Sequence, residues 1–153
     1  MTDVERCYAT AVRILRYRFN SAAELRRKLA AKDFDRDTIT ATIARLTTEK
    51  WIDDARFAGA YVRTRMLKRI GKLRIRRELM AAGVAEDVIH DAIGANADAD
   101  DERQRALASA TRRLPILQRR GDVRNKLTAY LLKQGYDAAL VRDIVKEILV
   151  VDH

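Results

Sequence analysis

An all-α chain, built as a tandem array of three three-helix repeats, is what this sequence predicts, and three observations carry the prediction. Charged residues make up 35 % of its 153 residues and aromatics 6 %, with one proline and six glycines; that balance suits helices better than sheets. An apolar pattern recurs. Leu25, Leu29, Phe34, Ile39 and Ile43 are followed fifty residues later by Ile75, Leu79, Val84, Ile89 and Ile93, and a further fifty-two residues on by Leu127, Leu131, Tyr136, Val141 and Val145. Each copy also breaks at the same place, Asp33, Gly83 or Gly135, where a left-handed residue closes a helix.

The first helix is expected over Val4 to Tyr17, with Cys7, Tyr8, Ala11, Val12, Ile14 and Leu15 at helical spacing. Ser21 and Glu24 form a capping box for the short helix that follows, and Glu24 is placed to pair with Lys28 one turn on. Phe34 packs back on that helix, and Asp35 caps the next. In the second copy Asp53 caps a long helix running to about Ile70, with Trp51 packed as a staple at its start. Ala85 holds the cap place of the following pair, with Glu86 and Asp87 close behind to suit the helix dipole. In the third copy a helix begins near Asp98 and is ended or kinked by Pro115; Asp122 opens the last pair, and Asp137 caps the final helix. The repeats divide at 1–50, 51–97 and 98–153 in an extended row of bundles, with Gly94 to Asp101 as the best flexible boundary.

Lys and Arg total 31 and Asp and Glu 22, a formal charge of +9, which favours a polyanionic partner. The charge is segregated. From Arg56 to Arg77 stand nine basic residues and no acid; from Glu86 to Glu102 stand seven acids and no Lys or Arg. A solubilising surface does not need that separation. On the short helix of the second copy, Arg74 and Arg77 should point to solvent opposite Ile75 and Leu79, with Arg76 on the flank. Arg26-Arg27 recur as Arg76-Arg77, and Arg119-Arg120 form a second basic pair.

Little in the chain suggests catalysis. His90 lies in a helix and reads as a surface residue, and His153 is terminal. No Cys/His cluster has metal spacing, no glycine-rich loop could cradle a nucleotide, and Asp53-Asp54 reads as helix capping rather than a metal site. Neither enzyme activity nor a cofactor is expected. The lone Cys7 and the lack of an export signal or membrane span suit a cytoplasmic protein.

Trp51-Ile52-Asp53-Asp54-Ala55-Arg56-Phe57, followed by Tyr61, Arg63 and Arg65, resembles the signature of the RecX family, regulators of the RecA recombinase. Ser21 to Leu29, Arg74 to Leu79 with Gly83-Val84, and Lys126 to Tyr136 resemble its three repeats. The usual Gly-Tyr-Gly-Pro type turn is replaced by Ile70-Gly71-Lys72-Leu73, which would let the long helix run further. The resemblance implies a curved row of helical repeats that docks in the groove of the RecA–DNA filament as a monomer. There it would inhibit filament extension, ATPase and strand exchange, with weak, sequence-blind contacts to single- and double-stranded DNA and none to membranes. The residues expected to meet RecA or DNA are Arg26, Arg27, Arg65, Lys68, Arg69, Lys72, Arg74, Arg76, Arg77, Arg119 and Arg120. The competing readings are a DNA-binding protein of helix-turn-helix type and a helical adaptor for an acidic protein.

Overall fold

The computed structural model describes residues 1–96 and 99–151. Among them are nine helices and no strand: α1 (Asp3–Tyr17), α2 (Ala22–Ala31), α3 (Arg36–Thr48), α4 (Asp54–Leu67), α5 (Lys72–Ala81), α6 (Glu86–Asn96), α7 (Ala99–Gln118), α8 (Val123–Gln134) and α9 (Ala138–Val151). They gather into two compact units, residues 1–60 with 79–90 and residues 61–78 with 91–153. The core of the first holds Cys7, Ala11, Leu25, Leu29, Ile39, Ile43, Leu46 and Ile52, with Phe34 and Trp51 packed on it. The core of the second includes Ala106, Ala110, Leu127, Leu131, Tyr136, Val141, Ile144 and Val145.

The repeating positions are the buried ones. Leu25, Ile75 and Leu127 are fully buried, as are Leu29, Leu79 and Leu131. Each pair brackets a turn of helix whose end is closed in the same way. The amides of Phe34, Val84 and Tyr136 donate to the carbonyls of Leu29, Leu79 and Leu131 at 3.4, 3.1 and 3.3 Å, across Asp33, Gly83 and Gly135 at φ of 69°, 80° and 102°. This is the closure that satisfies the last carbonyls of a helix and returns an apolar residue to it.

The glycines at two of the three sites have a second reason. A Cβ on Gly83 would meet the Cβ of Ala23 at 2.3 Å; one on Gly135 would meet the Cβ of Arg74 at 2.4 Å and the carbonyl oxygen of Gly71 at 2.8 Å. Each packs against the first turn of an earlier short helix, leaving no room for a side chain. Asp33 is exposed, so the first copy carries a side chain at only the conformational cost of the left-handed region.

The capping expectations hold at Ser21–Glu24, Asp35, Asp53 and Asp137. Several others are corrected. Helix α4 stops at Leu67: Arg69 adopts a φ of 61° and the Ile70 amide donates to the Arg65 carbonyl at 3.1 Å, so Ile70 is the buried residue that closes the helix, not its last turn. The altered turn therefore does not lengthen α4. Pro115 does not end α7, which runs on to Gln118. Asp122 precedes α8 with a φ of 49° and makes no side-chain cap to the helix amides. Glu24 does not pair with Lys28; it faces Arg18 at 3.8 Å, while Lys28 Nζ donates to Asn20 Oδ1 at 2.6 Å. Trp51 closes the end of α3, its amide donating to the Leu46 carbonyl at 2.9 Å, and Ile52 is the buried residue beside the Asp53 cap. Gly94 to Asn96 belong to α6 and Ala99 to Asp101 to α7, so the expected flexible boundary is helical at its described residues, with Ala97 and Asp98 left over. Those two, and His153, lie outside the described residues.

Candidate polyanion-binding surface

The first turn of α4 explains the paired aspartates. Asp53 accepts from the Arg56 amide at 3.1 Å and caps its own helix. Asp54 instead reaches Ala22, the first residue of α2, and accepts from its amide at 2.9 Å. The second unit repeats the device. Glu102, in the first turn of α7, accepts from the amide of Lys72, the first residue of α5, at 3.0 Å. Neighbouring stitches also correspond. Ser21 Oγ donates to the Ala82 carbonyl at 2.5 Å in the first unit; the Gly71 amide donates to the Gln134 carbonyl at 2.8 Å in the second. Glu102 is only 4 % exposed and also holds Arg105. It therefore counts as a structural carboxylate, and the exposed part of the acidic stretch is smaller than its sequence suggests.

The basic run is likewise divided by one acid that stands just beyond it. Glu78 accepts from Arg65 Nε and Nη2, both at 2.9 Å, from Arg74 Nε at 3.3 Å and from the Tyr61 hydroxyl at 3.0 Å. Partial burial alone would raise its pKa, but the hydrogen bonds from Arg65 and Tyr61, with the charges of the arginines, hold it below the ordinary carboxylate value. Burial and the same carboxylate push the Tyr61 hydroxyl up. Arg65 and Arg74 are thus spent on Glu78, and the expectation that Arg74 points freely to solvent is corrected.

Lys68, Lys72 and Arg77 are exposed, while Arg69 and Arg76 are half-buried. Arg69 and Arg63 line a hollow with Met66, Leu67, Asn96 and Arg105, and the Arg69 carbonyl accepts from the Tyr136 hydroxyl at 2.5 Å. Burial, with the nearby Glu102 charge, pushes that hydroxyl's pKa far up. Arg119 and Arg120 are exposed at the end of α7. In the first unit, Arg26 donates to Thr40 Oγ1 at 3.2 Å and Arg27 to the Ala81 carbonyl at 2.9 Å. The predicted residues therefore do not form one set. Lys68, Lys72 and Arg77 are exposed cations of the second unit, Arg119 and Arg120 make an exposed pair, and Arg65, Arg74 and Arg27 are engaged in contacts that hold the fold.

Residues 7–46 match the family model for the first three-helix domain of RecX, and residues 53–93 match that for its second. A regulatory protein RecX of Clostridium botulinum is 32 % identical over 148 residues, covering 94 % of this chain and 69 % of the relative. The chain belongs to the RecX family. A regulatory protein RecX of Prosthecochloris aestuarii is 30 % identical over 152 residues, covering 97 % of both chains. The crystal structure of RecX from Lactobacillus salivarius superposes with a TM-score of 0.82 at 24 % identity, over 97 % of each chain, which establishes the shared fold. RecX proteins are named as regulators, and the paired-aspartate signature now has a structural meaning: one carboxylate starts its own helix and the other secures the helix of the repeat before it.

Proposed function

We propose that this protein is a cytoplasmic negative modulator of RecA recombinase, docking in the groove of the RecA–DNA filament and inhibiting its extension, ATP hydrolysis and strand exchange. The observation that carries the reading is that Lys68, Lys72 and Arg77 each stand exposed on a RecX-type repeat. A repeating polymer presents acidic surface and phosphate at regular intervals, and linked modest contacts gain from their effective concentration. The tested variant pairs Lys72→Glu with Arg77→Glu. Both side chains are exposed, so the fold should stand, whereas reversing Arg74 would set a second carboxylate beside Glu78. In co-sedimentation with RecA filaments on single-stranded DNA the double variant should bind at least tenfold more weakly. Unchanged binding would remove this group from the interface.

The helix-turn-helix reading is disfavoured by α6. Its place in the triplet is that of a recognition helix, yet it carries Glu86, Asp87 and Asp91 and no Lys or Arg. That charge would repel a phosphate backbone. Direct DNA contact should accordingly be sequence-blind, and its affinity should fall steeply with salt as counterions are released.

A further inference from the structure

The C-terminal half of α1 carries a feature that the basic run does not include. Tyr17, the last residue of the helix, is 93 % exposed. Tyr17 and Arg13 together form a wall shared by two hollows. One is lined further by Tyr8, Val12, Arg16 and Trp51. The other is lined by Ile14, Arg18, Lys28 and Lys32. Three of the chain's nine aromatic residues thus meet at one short stretch of surface.

The electrostatics of the stretch have one sign. No Asp or Glu lines either hollow. Two acids that contact lining residues are occupied: Glu49 accepts from the Tyr8 hydroxyl at 2.7 Å and faces Arg45 at 3.4 Å, and Glu24 faces Arg18. Arg45 covers one face of the Tyr8 ring at 3.8 Å, and Arg16 stands 6.0 Å from the centre of the Trp51 ring. Aromatic faces interleaved with guanidinium groups, on a surface with no carboxylate in its lining, suit a polyanion that also carries flat apolar rings. Unpaired nucleotides have that chemistry at every residue; a duplex keeps its ring faces stacked inside, and an acidic peptide offers rings only where an aromatic residue interrupts its charges.

We propose that this end of α1 is a base-stacking site for single-stranded DNA. Bases stack on Tyr17 and enter the hollow against Trp51, while Arg13, Arg16 and Lys32 meet the flanking phosphates. Neither lining includes a carboxylate or side-chain amide that would single out a 2′-hydroxyl, so nothing in it selects ribose over deoxyribose. The apolar walls of Val12 and Ile14 give a thymine methyl group a surface to cover. The site shares no residue with Lys68, Lys72 or Arg77 and does not rest on the recombinase reading.

The chain has a single tryptophan, so Trp51 fluorescence reports occupancy directly, with no recombinase present. Titration of the full chain with oligo(dT) should quench Trp51. An abasic oligodeoxynucleotide of the same length and charge should bind at least several-fold more weakly and leave the emission unchanged, and oligo(rU) should bind no better than oligo(dT). Tyr17→Ala removes an exposed side chain and should leave the helical circular-dichroism signal intact; it should weaken oligo(dT) binding by about tenfold, the loss typical of one stacked base, without changing duplex affinity. Equal binding and equal quenching by the abasic strand, or unchanged oligo(dT) affinity in Tyr17→Ala, would overturn the proposal. Preferential binding of oligo(rU) would overturn the choice of DNA, and quenching only by an acidic peptide would reassign the surface to a protein partner.

Discussion

Replacing Gly135 by alanine tests the packing of the repeat where it is tightest. Gly135 has a φ of 102°, a conformation that costs an L-residue about 1–3 kcal/mol. The new Cβ would also sit 2.4 Å from the Cβ of Arg74, 2.7 Å from its amide nitrogen and 2.8 Å from the Gly71 carbonyl oxygen. Two of those atoms are backbone and cannot rotate away, so the first turn of α5 has to shift. Overpacking of this kind adds about 1–3 kcal/mol. The shift also strains two hydrogen bonds, from the Gly71 amide to the Gln134 carbonyl at 2.8 Å and from the Leu73 amide to the Gly135 carbonyl at 3.1 Å, each contributing about 1 kcal/mol. The expected loss is about 3–6 kcal/mol. Gly121 supplies the control: its φ is 73°, but a Cβ there meets nothing within 4 Å, so alanine should cost about 1–2 kcal/mol. Thermal unfolding followed by circular dichroism separates the two. At about 2–4 °C per kcal/mol for a chain of this size, Gly135→Ala should lower Tm by roughly 6–24 °C and Gly121→Ala by roughly 2–8 °C. Equal shifts would refute the close approach as the reason for glycine at 135.

Three further substitutions probe the carboxylates. Glu78→Gln should destabilise the chain by about 1 kcal/mol at neutral pH, a value discounted for the partial exposure of the group. Because the folded pKa of Glu78 lies below its ordinary value of 4.5, that stabilisation is complete above the unfolded value and is lost as pH falls through the folded one; denaturation of both proteins across the acidic range should show the difference shrinking, and a constant difference would argue against an ionised Glu78. Asp54→Ala should cost about 1 kcal/mol and loosen the first turn of α2, whereas Asp53→Ala should loosen that of α4. Hydrogen exchange at the Ala22 and Arg56 amides distinguishes them, and the same protection pattern in both variants would contradict the division of roles.

The repeat was legible because it rests on apolar residues at helical spacing: fourteen of the fifteen repeating positions named from the sequence are buried, and Phe34, the other, is half-buried. The helix closures were legible for the same local reason, with Gly83 and Gly135 each marking one. What escaped was contact at a distance. The partner of Asp54 is the Ala22 amide, thirty-two residues away, and that of Glu102 is the Lys72 amide, thirty residues away; backbone groups leave no mark in a sequence. Arg65 and Arg74 looked available because the acid that holds both, Glu78, stands one residue beyond the basic run. Arg13, Arg16 and Lys32 carry no mark of a site in the sequence because they are spread over α1 and the end of α2, and only folding gathers them, with Lys28, around Tyr17. Pro115 shows local propensity overridden, since α7 continues through it.

ATP hydrolysis by RecA reads out most plainly whether the chain restrains the recombinase. Purified protein should be titrated into a cognate RecA hydrolysing ATP on single-stranded DNA. Inhibition at a small fraction of the RecA concentration, relieved in the Lys72→Glu/Arg77→Glu variant, is the predicted result. Full hydrolysis with the protein present at equal concentration would contradict it.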